Sequence, residues 1–354
     1  MTLAPFSDPE TVPILKEAWA DLGRPGALVG VRDISANVST NRVFTVRIDD
    51  GREYIAKTSS YGSYVYFRQD HRLIHEWRRQ LKGTRYRGFL APILEKDGDV
   101  FTYRKGAEWA VFYEKAPFYD FLPKVLTPDL VTAMGREMAE FHRASTHLTT
   151  PLPPSWKSVG SDVALLHDAL GRPEGRRALG VDDSAEDLLR TQCDTFLTNA
   201  ERLGYHHFQK IPVLVDWNIG NFSVGFDQEG FRFFSRWDYD WFRVEPRMLD
   251  FYFCARVVRS EGDQTVFHYT LDPFFDAPFR RFLRAYHGTF PLEDEEVLFL
   301  KEAYRFFLLN YVIRSGEHFF QKDYAPRLKR EAIENYFPAL DEKSFMPLVR
   351  ALSE

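Results

Sequence analysis

Cysteine is nearly absent from this chain of 354 residues: there are two, Cys193 and Cys254. They are too few and too far apart for a disulfide framework or a zinc site. Their apolar helical surroundings predict buried, reduced thiols. No run of about 18 apolar residues occurs, so no membrane partner is expected. An excess of positive charge is also missing; the formal net charge is −5 and the pI is near 6.1. That balance argues against a nucleic-acid partner. Internal repeats and low-complexity tracts are missing too. The opening MTLAPFSDPE has neither the charged start nor the apolar centre of a secretory signal, so a soluble, cytoplasmic protein is expected.

What is present is apolar and aromatic. Hydrophobic residues make up 44% of the chain and Phe alone contributes 32 residues, enough for a full core. The length predicts one large or two unequal domains. Residues 8–22 have the pattern of a short helix. ALVGVRDI, NRVFTVRI and REYIAKTS then alternate as strands, the last two joined by Asp49-Asp50-Gly51, a strong hairpin signal. Residues 68–82 form a helical pattern with Leu73, Trp77 and Leu81 on one face, stopped by Gly83. A second hairpin turns at Asp97-Gly98-Asp99, and AEWAVFYEKA is a further strand.

After Tyr113 the pattern changes. Thr127-Pro128-Asp129 opens a helix with a cap, a proline at the first helical position and an acid in the first turn. Another helix runs from Ser184 to Gly204. Short strands are expected around VLV, FSVGF and FRFFSRWD, and helices from Pro246 onward, best marked over 294–314. The fold expected is α+β: an antiparallel sheet with one inserted helix over 1–115, then a mainly helical lobe over 116–354.

The chemistry-bearing residues gather at VLVDWNIGNFSV, residues 213–224. Asp216 and Asn221 fall in a loop between strands, and Asp238 ends the next strand but one. Carboxylate and amide oxygens at strand ends make a hard-oxygen site suited to Mg2+, which takes few protein ligands and keeps room for phosphate oxygens. The remaining Asp is then available to orient or deprotonate an attacking hydroxyl, the division of labour of phosphoryl transfer. Taken alone, Asp, Asn and Gly are also common turn formers. In the front sheet, Lys57 ends the strand REYIAK. Glu76 lies on the following helix one turn from Leu73, at the edge of the buried face, so the two could pair.

Together these segments resemble the aminoglycoside phosphotransferase and choline kinase group, which has a two-lobed protein-kinase-like fold. VDWNIGNFSV resembles that group's His-Gly-Asp-x-x-x-x-Asn stretch. RWDYDWFRVEPRMLDF resembles its Ile-Asp-Trp segment, with Pro246 and Asp250 following. MGREMAEFHRAS, with Gly135 and His142, resembles the helix after the hinge, FLRAYHGTFPLEDEEVLFLKEAYRFFLLNYVIRS its C-terminal helical signature, and SANVSTNRVF its nucleotide loop. The resemblance implies an ATP- or GTP-dependent kinase acting on a small hydroxyl-bearing molecule such as an amino alcohol, sugar or aminoglycoside. It implies roles as well. Asp216 would be catalytic, and Asn221 and Asp238 would hold Mg2+. Lys57 would bind phosphates with Glu76 as its partner, and Ser39 and Asn41 would lie near them. The hinge would run from Tyr113 through Lys115 to Ala116, and Asp250 would be a structural acid.

The chain departs from the pattern at four points. Trp217 and Asn218 are unusual in the VDWNIGNFSV stretch. Leu214 stands where the group has a His that supports the loop. The nucleotide loop has no glycine, so its backbone approaches phosphates less closely. Asp240 rivals Asp238 as a metal ligand, the latter fitting the spacing to Pro246 and Asp250. A non-catalytic pseudokinase is the first alternative and a protein kinase the second. His206 and His207 lack companion ligands and are expected at the surface. The acidic run Glu293–Glu296 is expected to be a solvated helix start. The sequence leaves the oligomeric state open.

Overall fold

A five-stranded antiparallel sheet organises the first part of the chain. The computed structural model describes residues 4–35, 41–146, 155–228, 230–262, 267–320 and 323–353. The chain divides into two units, one of Met1–Pro117 with Glu317–Gln321, the other of Phe118–Gly316 with Lys322–Glu354. The short excursion at 317–321 into the first unit, where His318 stacks on Tyr61, lies outside any boundary visible in the sequence.

In the first unit, helix α1 (Pro13–Leu22) precedes strands β1 (Leu28–Asp33), β2 (Arg42–Ile48) and β3 (Glu53–Ser59). Helix α2 (Tyr64–Gln80) follows, starting four residues earlier than its apolar pattern predicts because Ser63 caps it by accepting from Val65 N. Two-residue strands β4 (Glu95–Lys96) and β5 (Asp99–Val100) lead to β6 (Thr102–Lys105) and β7 (Glu108–Glu114). The main sheet runs β1-β2-β3-β7-β6. The β2–β3 hairpin turns where Gly51 takes φ +88, a left-handed value open to glycine.

Strand alternation sorts the side chains of β3 and β7 onto two faces. Tyr54, Ala56 and Phe112 point to one face, where Trp19 of α1 meets Tyr54 and Phe112 at ring distances of 5.2 and 5.4 Å. Ile55, Lys57 and Ser59 pair with Tyr113, Val111 and Trp109 and share the other face. Helix α2 covers that second face: Phe67 lies 6.0 Å from Trp109, and His71 Nε2 is 2.6 Å from the Tyr113 hydroxyl.

The second unit begins its helices with α3 (Pro128–Thr146); the helical spacing of the sequence marks Leu130, Met134, Met138 and Phe141, and the structure buries the last three with Val131 in place of the half-buried Leu130. Helices α4 (Val159–Leu170), α5 (Pro173–Leu179) and α6 (Glu186–Arg202) follow. Two ribbons come next. Strand β8 (Lys210–Val213) pairs with β11 (Arg243–Pro246), and β9 (Phe222–Asp227) with β10 (Gly230–Arg236). Strand β11 is not marked in the sequence, because RVEP is too short and too polar to alternate. Helices α7 (Phe251–Val258), α8 (Ala277–His287) and α9 (Asp294–Phe306) then build the helical body, and the chain widens to π geometry over Phe307–Arg314. Gly135 on α3 allows close packing on α8, since a Cβ there would stand 2.5 Å from Phe282 O. Both cysteines are buried and unpaired, on α6 and α7, and burial pushes both thiols up. No helix is long and apolar enough to cross a membrane among the described residues.

Candidate active site

Two loops of the second unit carry the residues singled out in the sequence. The first joins β8 to β9 and holds Asp216 and Asn221; the second follows β10 and holds Asp238 and Asp240. Both contain backbone that resists folding. Val215 takes φ +61 and Asp238 φ +68. For a β-branched residue such as valine the left-handed region is a true outlier, and strain of this kind gathers where surrounding structure enforces it.

The enforcement is visible. Asp250, fully buried, accepts hydrogen bonds at Oδ1 from Leu214 N at 3.0 Å and Val215 N at 2.6 Å. Its Oδ2 lies 3.0 Å from His142 Nε2, and His142 Nδ1 is 2.8 Å from the Tyr286 hydroxyl. Helices α3 and α8 thereby grip the loop through one carboxylate. Trp217, also fully buried, wedges the next turn among Phe141, Phe222 and Phe233 at ring distances of 5.9, 5.5 and 5.0 Å. The unusual Trp in this stretch is thus an apolar anchor.

Asp216 emerges between these two anchors, half-buried. Its Oδ1 accepts from Asn218 N at 3.1 Å and Asn218 Nδ2 at 2.6 Å. Burial pushes its carboxyl up to about 6, the Arg236 guanidinium opposes that rise, and Asp238 adds to it. Asn221 turns its Nδ2 toward Asp216 O at 3.5 Å, and Trp237 N donates to Asn221 O at 3.1 Å. The exposed Asp238 accepts at Oδ1 from Asp240 N at 3.2 Å. Trp237 Nε1 bonds Gly220 O at 2.9 Å and stitches the second loop to the first.

Sequence reasoning missed Arg236. Its side chain is 1% exposed, yet it donates from Nη2 to Asp216 O at 2.7 Å and Asp238 O at 3.0 Å, and from Nε to Asp238 O at 3.3 Å. An arginine beside the buried Ser235, at the end of a strand that carries Phe231, Phe233 and Phe234, was the available signal.

A cation site fits the donor chemistry here. Among the described residues no group of three or more His, Cys, Asp or Glu could hold a metal on its own. One carboxylate and one amide oxygen make an incomplete, hard-oxygen set, the kind that suits Mg2+ with ligands shared by phosphate and water. The amide Nδ2 of Asn221 faces Asp216 O, so Oδ1 is the atom that would be offered to a cation.

In the first unit, Lys57 is buried, at 6% exposure, on the sheet face that α2 covers. Glu76 does not turn toward that face. Its carboxylate accepts from Gln80 Nε2 at 2.8 Å and Arg79 Nη1 at 3.2 Å on its own helix. At about 100° per residue, Glu76 stands about 120° from the centre of the stripe formed by Ile74, Trp77 and Leu81. Asp70 lies at that centre, at i, i+4, i+7 and i+11 with those three residues. Its neighbours Phe67 and His71 meet Trp109 and Tyr113, which flank the Val111 that pairs with Lys57. Asn41 is buried just before β2, and Ser39 falls outside the described residues. Tyr113 buries its phenol against His71, and the exposed Lys115 lies 3.5 Å from Glu53.

The other charged candidates are structural. Glu293 and Glu296 form a capping box at the start of α9, and Glu296 pairs with the buried Arg247 at 2.5 Å. This run is therefore more than a solvated start. His206 and His207 lie in an exposed turn.

No family model and no curated protein matches the sequence. Solved structures do match. A microcompartment-associated aminopropanol kinase superposes with a TM-score of 0.56 at 16% identity, over 88% of this chain and 94% of its own. The amicoumacin kinase hAmiN, solved with AMP-PNP, Ca2+ and its ligand Ami, gives 0.56 at 14% identity, over 90% and 91%. An ethanolamine kinase of Plasmodium vivax gives 0.56 at 11% identity, over 90% and 83%. The likeness is one of fold: the chain has the α+β, protein-kinase-like fold of these small-molecule kinases, as the resemblance in the sequence implied.

Proposed function

We propose that this chain transfers the terminal phosphoryl group of ATP or GTP to a hydroxyl of a small molecule, with Mg2+ as cofactor. One observation carries the proposal above the fold likeness. Asp216, Asn221 and Asp238 sit on two loops that are strained at Val215 and Asp238 and tied together by Arg236 and Trp237. Strain held by a buried polar network is costly and is kept where geometry matters.

In this reaction Asp216 aligns the acceptor hydroxyl and takes its proton as the oxygen bonds to the terminal phosphorus. The bond from that phosphorus to the bridging oxygen breaks, and the nucleoside diphosphate leaves. A carboxyl pushed up to about 6 is ionised at neutral pH and more basic than an ordinary aspartate. Asn221 Oδ1 and the Asp238 carboxylate would hold Mg2+; Asp238 is favoured over Asp240 by its left-handed backbone, which Arg236 fixes. The ion would supply charge neutralisation on the phosphates. Within the first unit, Lys57 is assigned as a phosphate-binding cation, with Asp70 on the covered face of α2, rather than Glu76, as the acid that would brace it. Catalysis is then mostly positioning and electrostatics.

The fold neighbours that are an aminopropanol kinase and an ethanolamine kinase favour an amino alcohol as the first acceptor class to test. The test is a panel of amino alcohols, sugars and aminoglycosides, read by nucleotide consumption with and without Mg2+. Mg2+-dependent turnover with one class, abolished in Asp216→Asn, is expected. Nucleotide binding without turnover on any acceptor would instead support a pseudokinase, the alternative that Leu214 and the glycine-free loop favour.

A further inference from the structure

Leu214 leaves the catalytic loop without the histidine that supports it in chains with the His-Gly-Asp stretch, and the structure answers with a different group from a different strand. We propose that Arg236 is the positioning residue that sets the separation of Asp216 from Asp238, doing from β10 what that histidine would do from within the loop. The proposal deepens the phosphotransferase reading and rests on it for its kinetic consequence, though not for its structural one.

The geometry is specific. One planar guanidinium donates to the main-chain carbonyls of both residues, at 2.7 Å to Asp216 and 3.0 Å to Asp238, with Nε adding a contact to Asp238 at 3.3 Å. Two carbonyls from two loops, bound to a single Nη2, cannot drift apart without breaking one of the bonds. The fork is held on its own side by the Trp217 ring, 5.4 Å from Cζ, and by the pairing of Arg236 with Phe222 across the β9–β10 ribbon.

Burying a whole arginine is unfavourable unless its charge is answered and its hydrogens are used. Burial holds the guanidinium below the usual arginine range; Asp216 and Asp238 oppose that, and Nε and Nη2 spend their hydrogens on the two loops. Nη1 is buried with no partner among the described residues. A packing role would be filled better by an apolar side chain. The placement at the far end of a strand whose other buried members are Phe231, Phe233 and Ser235 points to selection for those two carbonyls. Asp238 shows the result: its left-handed φ of +68 is sustained by a bond to its own carbonyl.

The experiment compares wild-type protein with Arg236→Met, which keeps length but donates nothing, and Arg236→Lys, which keeps the charge and some donors. In Arg236→Met, kcat should fall about 100-fold, the cost of misplacing reacting groups by about 1 Å. Nucleotide affinity without Mg2+ should stay within about threefold. Amide hydrogen exchange at 216–221 and 237–240 should quicken by about tenfold, while α3 and α8 exchange as before. Arg236→Lys should recover much of the lost protection in both loops.

Unchanged exchange in the two loops of Arg236→Met overturns the proposal. So does acceleration spread evenly over the second unit, which would make Arg236 a general stabiliser. If wild-type protein turns over no acceptor, the phosphotransferase reading fails by itself. The exchange pattern then still decides whether Arg236 holds the loops.

Discussion

The loops of the second unit and the sheet of the first put polar side chains in place by opposite means. Lys57 is placed by regular structure: a strand period of two, a register opposite Val111, and a helix laid across that face. Asp216 and Asp238 are placed by irregular structure, against backbone preference, and held by buried charges from elsewhere in the unit. Regular placement is robust to single changes, because many weak contacts share it. Irregular placement depends on a few strong ones, so the second unit should respond to point substitution far more sharply than the first.

The largest effect is expected at Asp216. Asp216→Asn should lower turnover by about 10³–10⁴-fold, the upper end of what a positioned base provides, with nucleotide affinity kept. The same variant should be more stable at pH 8. The folded-state carboxyl is raised to about 6 by burial, so the folded protein holds its proton more tightly than the unfolded chain. That contribution is fully present below the unfolded value and is lost as pH rises through about 6. At pH 8 the wild type bears the cost of a buried charge that Asn lacks, about 1–3 kcal/mol. Urea denaturation at pH 8 and pH 5 should show a gain that shrinks at the lower pH; equal gains at both would contradict it.

Next is Asp250→Ala, which strands two loop amides and the His142 ring together. Removing a fully buried carboxylate with three partners should cost about 3–5 kcal/mol. Because Val215 needs the bond to remain left-handed, loop exchange should quicken beyond the global loss of stability. A cost below about 1 kcal/mol would mean that the strain at Val215 is held by something else. Gly135→Ala tests the same brace from a distance. Its new methyl meets Phe282 O, which is backbone and cannot step aside. Helices α3 and α8 must then separate, at about 1–3 kcal/mol, loosening the contact of His142 with Tyr286. Thermal denaturation measures the cost.

What could be read in the sequence follows the same division. The hairpin at Asp49-Asp50-Gly51, the helix opening at Thr127-Pro128-Asp129 and the stripe through Met134, Met138 and Phe141 are local patterns, and all appear as expected. The loop positions of Asp216, Asn221 and Asp238 were legible because polar residues between apolar strands mark loops. The support beneath them was not. Arg236 looks like a surface charge in FFSRWD, and nothing local says that its fork will be buried under two carbonyls. Strand β11 went unseen because only its partner β8 makes RVEP extended. The π widening at 307–314 was hidden within an unbroken helical pattern.

The smallest effect separates Asp70 from Glu76, and it tests whether regular placement can be trusted to name a residue. Both acids lie on α2, and the apolar pattern of Leu73, Trp77 and Leu81 alone, which pointed to Glu76, leaves that residue at the edge of the face. Adding Ile74 and His71, both buried, moves the centre of the face to Asp70 and leaves Glu76 to Arg79 and Gln80. On the proposed reading, a carboxylate on Lys57's side of α2 would hold the ammonium toward a phosphate; one on the far side is only a surface pair, worth about 0–1 kcal/mol. Asp70→Asn should therefore weaken nucleotide binding by about tenfold, equal to about 1.4 kcal/mol. Glu76→Gln should change it by less than about twofold. Calorimetry on the two variants settles the order. Should Glu76→Gln prove the more damaging, α2 must turn by about a third of a revolution when nucleotide binds, and the first unit would then be the more mobile partner in the comparison.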